Sequence, residues 1–570
     1  MTKKKRSKTK RILFWGLGIL AGIILVAVVV VYIYSNSIIK RALEEAVKRE
    51  TKGLYNAHIG SIYYGILGGN LHIRNLTLTP DTAIYKAMNP DSAPSMLLGL
   101  YVKKLTVLDL ELKQALFSRK IEAKRVDVKS PELKIFRKKR SVPDTTGKPR
   151  DTTQSIPLPK GWDYISVGTI SLVTGSLDYI DESNDSVRDF NIPYIDIQIV
   201  NLWIDSTWRT DPRIYNTDDI VVTLRDIKQQ TGNGMYAMHF GEVGISTGQK
   251  LVYIDRFHLE PLFNRHDFSR KLGYQTDRMD VEAGKISLTD IDWQELMVHK
   301  RLIASKLQID SLLLDDYRDK RVPMRPGFKP PMPQQLIRNL KQYIRIDSLE
   351  VVNGKATYSE QVGNEPGTIF FNRINGLLLG LTNDSAWLAE KKVSPLKAEA
   401  YVQGSGRLQA TINFKFGDTR NRFTVSALLS DFDLPRINPM LSKLIPAEIE
   451  GGRVQKMIVP EIRFNDDYST GTLTFRYTNL SFKMFKEKNT TWSGIKTGVI
   501  NFVASDFLIQ KSNPQPNGKL NSGIIYFQRD KHKSIINFIW KSIFSGLKSN
   551  MGFNTKEQKT IKKEDKQRKE

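Results

Sequence analysis

Apolar residues along this chain recur as i, i+2, i+5, i+7, an alternation broken once by a surplus position. The pattern occurs at Leu71, Ile73, Leu76, Leu78; at Leu105, Val107, Leu110, Leu112; at Ile121, Ala123, Val126, Val128; and at Ile165, Val167, Ile170, Leu172. It returns at Val252, Ile254, Phe257, Leu259; at Ile286, Leu288, Ile291, Trp293; at Leu302, Ala304, Leu307, Ile309; and at Ile344, Ile346, Leu349, Val351. On a helix these positions would scatter around the wheel. On a strand they form two pairs that share a face only if one extra residue lies between them, which a β-bulge or a kink supplies. Eight such bends predict a curled sheet with one concave apolar face. A β-sandwich with bulges is the alternative this spacing leaves.

The two sets are copies of one plan. Lys103 to Arg140 aligns without a gap on Gly284 to Arg321, pairing Leu105 with Ile286, Asp109 with Asp290, Ala123 with Ala304, Ser130 with Ser311 and Phe136 with Tyr317, each 181 residues apart. The register extends upstream, from Ile59 facing Phe240, and downstream at an offset of 179, from Tyr164 facing Tyr343. Two β units are predicted, residues 58–238 (repeat proper to about 200) and 239–385, and a repeated β unit points to an elongated sheet. Pro- and Thr-rich stretches, Ser141 to Pro159 and Arg321 to Pro333, fall at the same place in both and read as linkers or flaps. From 386 to 528 longer alternating runs such as Tyr401 to Phe416 predict an antiparallel meander.

The ends carry different patterns. Residues 12–34 are uncharged for 23 positions, long enough at about 1.5 Å per residue to cross a bilayer as a single helix. The preceding residues 1–11 hold seven Lys and Arg and no acid, which puts the N-terminus in the cytoplasm and everything after Tyr34 across the membrane. Residues 35–57 read as a connecting amphipathic helix bearing Ile38, Ile39, Leu43 and Val47 on one side. A second amphipathic helix is expected within 529–552, with Ile536, Ile539, Trp540, Ile543 and Phe544 on its apolar stripe, either touching a membrane or capping the sheet edge. Residues 553–570 read as a disordered charged tail.

The absence of cysteine from 570 residues excludes disulfides and thiol chemistry. The net charge of +26 is concentrated at the two ends, 14 of it by count, with no basic stripe interleaved with aromatics, so nucleic acid is not an expected partner. Gly244 to Gly248 fits G-x-S-x-G, but the residues that follow read as a strand where a nucleophile elbow needs a helix. The seven histidines show no ligand spacing along the chain. No catalytic, metal or cofactor-binding residues are predicted, and the chain is not expected to be an enzyme.

The order of these features resembles a family. The basic tail and single transmembrane helix, the strand pair YGILGGNLHIRNLTL, the block VKKLTVLDLELKQALFSRKIEAKRVDVKSPELKIF, the segment LLSDFDLPRINPMLSKLIPAEIEGGRVQKM and the terminal RDKHKSIINFIWKSIFSGLKS are together similar to AsmA-like proteins of Gram-negative envelopes, over Thr2 to Gly552. The resemblance implies an inner-membrane protein with its bulk in the periplasm, akin to bridge-like lipid transfer proteins. Its partners would be phospholipids, the inner membrane and an outer-membrane or periplasmic protein. The expected fold is mainly β: a transmembrane helix, then a curved, bulged antiparallel groove of tandem repeats with short helices at both ends. The groove residues expected to meet acyl chains are Ile73, Leu76, Val126, Val167, Ile254, Phe257, Leu307 and Ile346. The other expectation is an envelope scaffold that binds a partner protein by its sheet edge or loops.

Overall fold

The computed structural model describes residues 36–65, 69–88, 94, 96–111, 114, 118–138, 158, 161–182, 188–208, 210–390, 392–445, 447–484 and 510–567. The expected transmembrane span 12–34 lies outside them. Among the described residues no helix is long and apolar enough to cross a membrane.

The chain is mainly β, and the twenty strands found among the described residues belong to one sheet. In chain order they are β1 (Tyr55–Gly65), β2 (Asn70–Pro80), β3 (Met96–Leu108), β4 (Lys120–Lys138), β5 (Tyr164–Glu182), β6 (Arg188–Ile204), β7 (Asp219–Gln230), β8 (Tyr236–Ser246), β9 (Leu251–Pro261) and β10 (Asp277–Thr289). There follow β11 (Arg301–Asp310), β12 (Leu313–Asp319), β13 (Tyr343–Gln361), β14 (Pro366–Thr382), β15 (Ser394–Val402), β16 (Gly406–Phe414), β17 (Phe423–Asp433), β18 (Ala447–Phe464), β19 (Tyr468–Met484) and β20 (Ser522–Gln528). The bounds of β8, β9 and β10 are those of β1, β2 and β3 displaced by 181, and β11 with β12 spans β4 displaced by the same number. Displacements of 179 and 178 carry β5 onto β13 and β6 onto β14.

The backbone repeats as closely as the strands. Left-handed residues occupy matching positions: Gly69 and Lys250, Asn75 and Arg256, Asp109 and Asp290, Arg119 and Lys300, Ser130 and Ser311, Thr174 and Asn353. Equivalent turns are closed alike, Leu110 N donating to Gly69 O at 2.9 Å and Ile291 N to Lys250 O at 3.0 Å. A basic side chain in this region costs about 1 kcal/mol that Gly or Asn largely avoids, so Lys250, Arg256 and Lys300 hold an inherited conformation against local preference.

Four of the eight predicted break points, Asn75, Asp109, Arg256 and Asp290, carry a left-handed residue. The bulge itself is corrected. Register through Asn75 is unchanged, Ile59 facing Leu76 and Ser61 facing Arg74 on one side, Leu76 facing Val102 and Arg74 facing Lys104 on the other. Each neighbouring strand therefore contains its own matching residue, and the row makes a crease across strands rather than a two-against-one bulge. At Lys124–Arg125 with Gly168–Thr169, and at Ser305–Lys306 with Asp347–Ser348, parallel partners run through in register without a left-handed residue. Register shifts of the bulge kind fall instead beside Thr174 and Asn353, between Leu172 and Gly175 and between Val351 and Gly354.

The all-antiparallel expectation is also corrected. β4 pairs parallel to β5, and β11 and β12 both pair parallel to β13. A parallel pair needs a crossover of a dozen or more residues, and the Pro-rich stretches read as flaps lie within those connections, residues 139–163 and 320–342. The second one is packed: Met332 is fully buried, and Arg338 Nη1 donates to Phe416 O and Asp418 O at 2.9 and 2.8 Å.

Contacts divide the chain into two compact units, residues 1–229, 239–255 and 290–300 in the first, and 230–238, 256–289 and 301–570 in the second. In the first, Ile59, Leu71, Ile73, Leu76, Leu105 and Val126 anchor one cluster on one face of β1 to β5. The helix Asn36–Glu50 docks there, Glu44 Oε1 accepting from Ile59 N at 2.9 Å and Val47 packing on Leu78. In the second, the core is aromatic: Phe423 stacks on Phe464 at 4.4 Å, and Phe464 meets Phe538 edge-on at 5.0 Å. The tail read as disordered contains the helix Lys556–Gln567, tied by Gln558, whose Nε2 donates to Ile524 O at 2.7 Å.

Candidate functional site

In the first copy the described members of the broken alternation are buried or pack against buried neighbours. Ile73 and Leu76 are 1% exposed and Val126 and Val167 7%, packed among one another with Leu105 and Val107. Aliphatic side chains on successive strands, each worth about 1.5–3 kcal/mol when buried, fill the space that these strands enclose.

At four equivalent positions the second copy carries larger apolar side chains with less cover. Leu76 is replaced by Phe257, Val126 by Leu307, Val128 by Ile309 and Val107 by Leu288, and all four replacements are half-buried. Ile346 is buried, and Ile254, which belongs to the first unit, is half-buried. Within the second unit these residues form two cross-strand rows. Ile286 faces Ile309, which faces Val351; Leu288 faces Leu307, which faces Leu349, which faces Leu378. Phe257, Leu288, Leu307, Ile309, Leu349 and Val351 lie outside the clusters of buried residues found among the described residues.

Farther along the same strands the apolar rows give way to charge. Allowing for the shift beside Asn353, alternation brings Val351, Ala356, Tyr358 and Glu360 to one face, and parallel register sets Asp316 beside Tyr358 and Arg318 beside Glu360. Arg318 holds Asp277 with two bonds of 2.6 Å, Lys320 Nζ lies 2.5 Å from Glu360, and the Tyr358 hydroxyl donates to Glu360 Oε2 at 2.8 Å. Asp316 Oδ1 is buried with no hydrogen-bond partner. Burial pushes the Asp316 carboxyl up to about 7, assisted by Asp277 and Asp315 and opposed by Arg318. Burial raises the Tyr358 hydroxyl, and burial with Lys320 and Arg318 nearby lowers the Lys533 ammonium. Sequence reasoning missed this cluster because its members meet only where β12 pairs with both β10 and β13; two apolar strands joined by a long Pro-rich connection were the available signal.

The distal helix runs from Ile535 to Asn550, and its seating divides the expected apolar stripe between two sides. Phe538, Ser542, Ser545 and Ser549 face inward, while Ile536 is 75% and Trp540 52% exposed. Ile539 and Ile543 pack partly against the aromatic core, and Phe544 is half-buried. The helix sits on β20, the strand that ends the ladder continuing from β19. Ser542 Oγ lies 2.7 Å from Ser469 Oγ, and Ser549 Oγ accepts from Ile524 N at 2.9 Å.

Two other groupings are defined by their surroundings. The G-x-S-x-G string lies at a hairpin turn between β8 and β9, with both Ser246 Oγ and Gly248 N donating to the Asp219 carboxylate at 2.8–3.1 Å, so it forms no strand-to-helix elbow. His258, Asp280 and Glu282 bring three ligand atoms within 4.8 Å of one another, a cation-competent set invisible to spacing along the chain. His258 Nε2 is already 2.8 Å from Asp280 Oδ1, and the first-copy equivalents are Thr77, Gly99 and Tyr101. No protein-family model and no curated protein matches the chain, so its function is argued from this geometry.

Proposed function

We propose that this protein holds or conveys phospholipid acyl chains along the apolar face of its second repeat copy, without covalent chemistry. The observation that carries the reading is an inversion between copies at four positions: Phe257, Leu288, Leu307 and Ile309 are larger than their first-copy equivalents and have less of their surface covered. An acyl chain supplies the missing cover. Shielding about 16 methylenes at about 0.8 kcal/mol each is worth about 13 kcal/mol, which lowers the barrier to leaving a bilayer without any reaction. The resemblance to AsmA-like proteins and the topogenic pattern of residues 1–34 support placement in the inner membrane of a Gram-negative type envelope. There the β portion would extend into the periplasm and serve outer-membrane lipid homeostasis.

The closed face of the first copy favours a second role for that part, a scaffold that holds the conduit or another envelope protein. The two are separated by site-specific photocrosslinking of the full chain in cells. A crosslinker at Phe257 or Leu307 is expected to capture phospholipid, and one at Ile73 or Val126 to capture only the chain itself. Protein adducts without lipid at Phe257 and Leu307 would overturn the conduit and leave the scaffold.

A further inference from the structure

We propose that the distal helix Ile535–Asn550 is a docking element for an anionic bilayer surface, distinct from the apolar face of the repeat. Its inward side is built for close approach. A Cβ at Gly546 would lie 2.6 Å from both Ile525 and Leu473, and one at Gly523 would lie 2.0 Å from Gly546 O. Phe538, Ser542, Ser545 and Ser549 complete that side. At 100° per residue, Ile536 and Trp540 point opposite them, with Phe544 one turn farther along.

Leaving Ile536 and Trp540 in water forgoes about 25 cal/mol per Å² of apolar surface that cover would gain. The outward ridge is therefore shaped for an apolar environment encountered after folding. Trp540 and Phe544 stack at 6.0 Å, and the Lys541 and Lys548 ammonium groups lie 5.8 and 5.5 Å from the Phe544 ring. This places an aromatic edge next to cationic heads, as at a headgroup boundary. Charge selects the occupant. Residues 529–567 carry ten Lys and Arg against four Asp and Glu. Two such ridges from two copies would repel, whereas an anionic lipid surface attracts each nearby base by about 1 kcal/mol.

The native chain has no cysteine, so Trp540→Cys gives a single labelling site. The full chain, held by its N-terminal segment in nanodiscs of phosphatidylcholine, is labelled there with an environment-sensitive fluorophore. It is then mixed with separate vesicles of phosphatidylcholine and phosphatidylglycerol, 3:1, carrying a lipid-borne quencher. A blue shift and quenching that vanish with pure phosphatidylcholine vesicles are expected. A label at Tyr63→Cys, exposed on β1, should not respond. In the unlabelled chain, Ile536→Ser with Trp540→Ser should lower capture of the anionic vesicles at least tenfold with an unchanged circular dichroism melt. The same variant should keep lipid crosslinking at Phe257, so loss of docking and loss of the conduit are read separately. No response of the Trp540 label to anionic vesicles, or a shift that follows protein concentration without vesicles, would overturn the proposal.

Discussion

Replacing Asp316 by asparagine should stabilise the protein at pH 8 and leave it nearly unchanged at pH 4. Asp316 lies on β12 beside Tyr358, close to Asp277 and Asp315, and its Oδ1 has no partner. Burial raises its carboxyl from 3.8 to about 7. A raised carboxyl is most favourable to the fold where both folded and unfolded forms are protonated, below about pH 4. Between about 4 and 7 the unfolded chain ionises while the folded one keeps its proton, and stability falls by up to about 1.4 kcal/mol per pH unit. Three units give an upper limit of about 4 kcal/mol. Partial solvent access and the opposing Arg318 reduce this to about 2 kcal/mol. Asparagine keeps the shape and removes the ionisation, so the advantage of Asp316→Asn should grow from near zero at pH 4 to about 2 kcal/mol above pH 7. Urea unfolding of the full chain followed by tryptophan fluorescence at pH 4, 5.5, 7 and 8 measures it. A variant advantage that is constant with pH, or one that shrinks as pH rises, would refute the assignment of Asp316 as the buried, destabilising acid.

The remaining predictions test packing and backbone. Leu76→Ala should cost about 3 kcal/mol, while Leu307→Ala, at the equivalent of buried Val126, should cost about 1 kcal/mol because its site is already open on one side; chemical denaturation of both variants compares them. Asn75→Val should destabilise by about 2 kcal/mol, since a β-branched residue is poorly tolerated at φ 53° and the bond from the Tyr101 hydroxyl to Asn75 is lost, whereas Arg256→Asn should stabilise by about 0.5 kcal/mol. Ser542→Leu should unseat the distal helix at a cost of about 3 kcal/mol, read as faster amide exchange over residues 535–550, while Ile536→Ser, on the exposed side, should leave exchange unchanged.

Alternation with one surplus residue required strands and excluded helices, and it grouped Ile73 with Leu76 and Ala123 with Val126 in the one cluster where the structure places them. From β1 to β4 the offset of 181 carries strand bounds and left-handed positions onto the second copy, because a duplicated backbone keeps its turns even where Lys or Arg replaces Gly or Asn. The candidate site was less visible. The eight groove positions were readable as apolar and strand-borne, but Ile73 and Phe257 follow one pattern and differ in cover, which depends on what packs above them.

What the amino-acid order determined by itself is local: period, turns, repeat length and the amphipathic character of the distal segment are written within a few residues of each position. Only the tertiary structure decided that the Pro-rich connections are crossovers of parallel pairs, which sets Asp316 against Tyr358 and builds a charged end to the apolar rows. It also decided that the distal helix turns Phe538 and its serines toward β20 and leaves Ile536 and Trp540 outward, because close approach at Gly523 and Gly546 leaves no room there for larger side chains. Both outcomes depend on which distant backbone arrives alongside, and the period of a single segment carries no record of its neighbour.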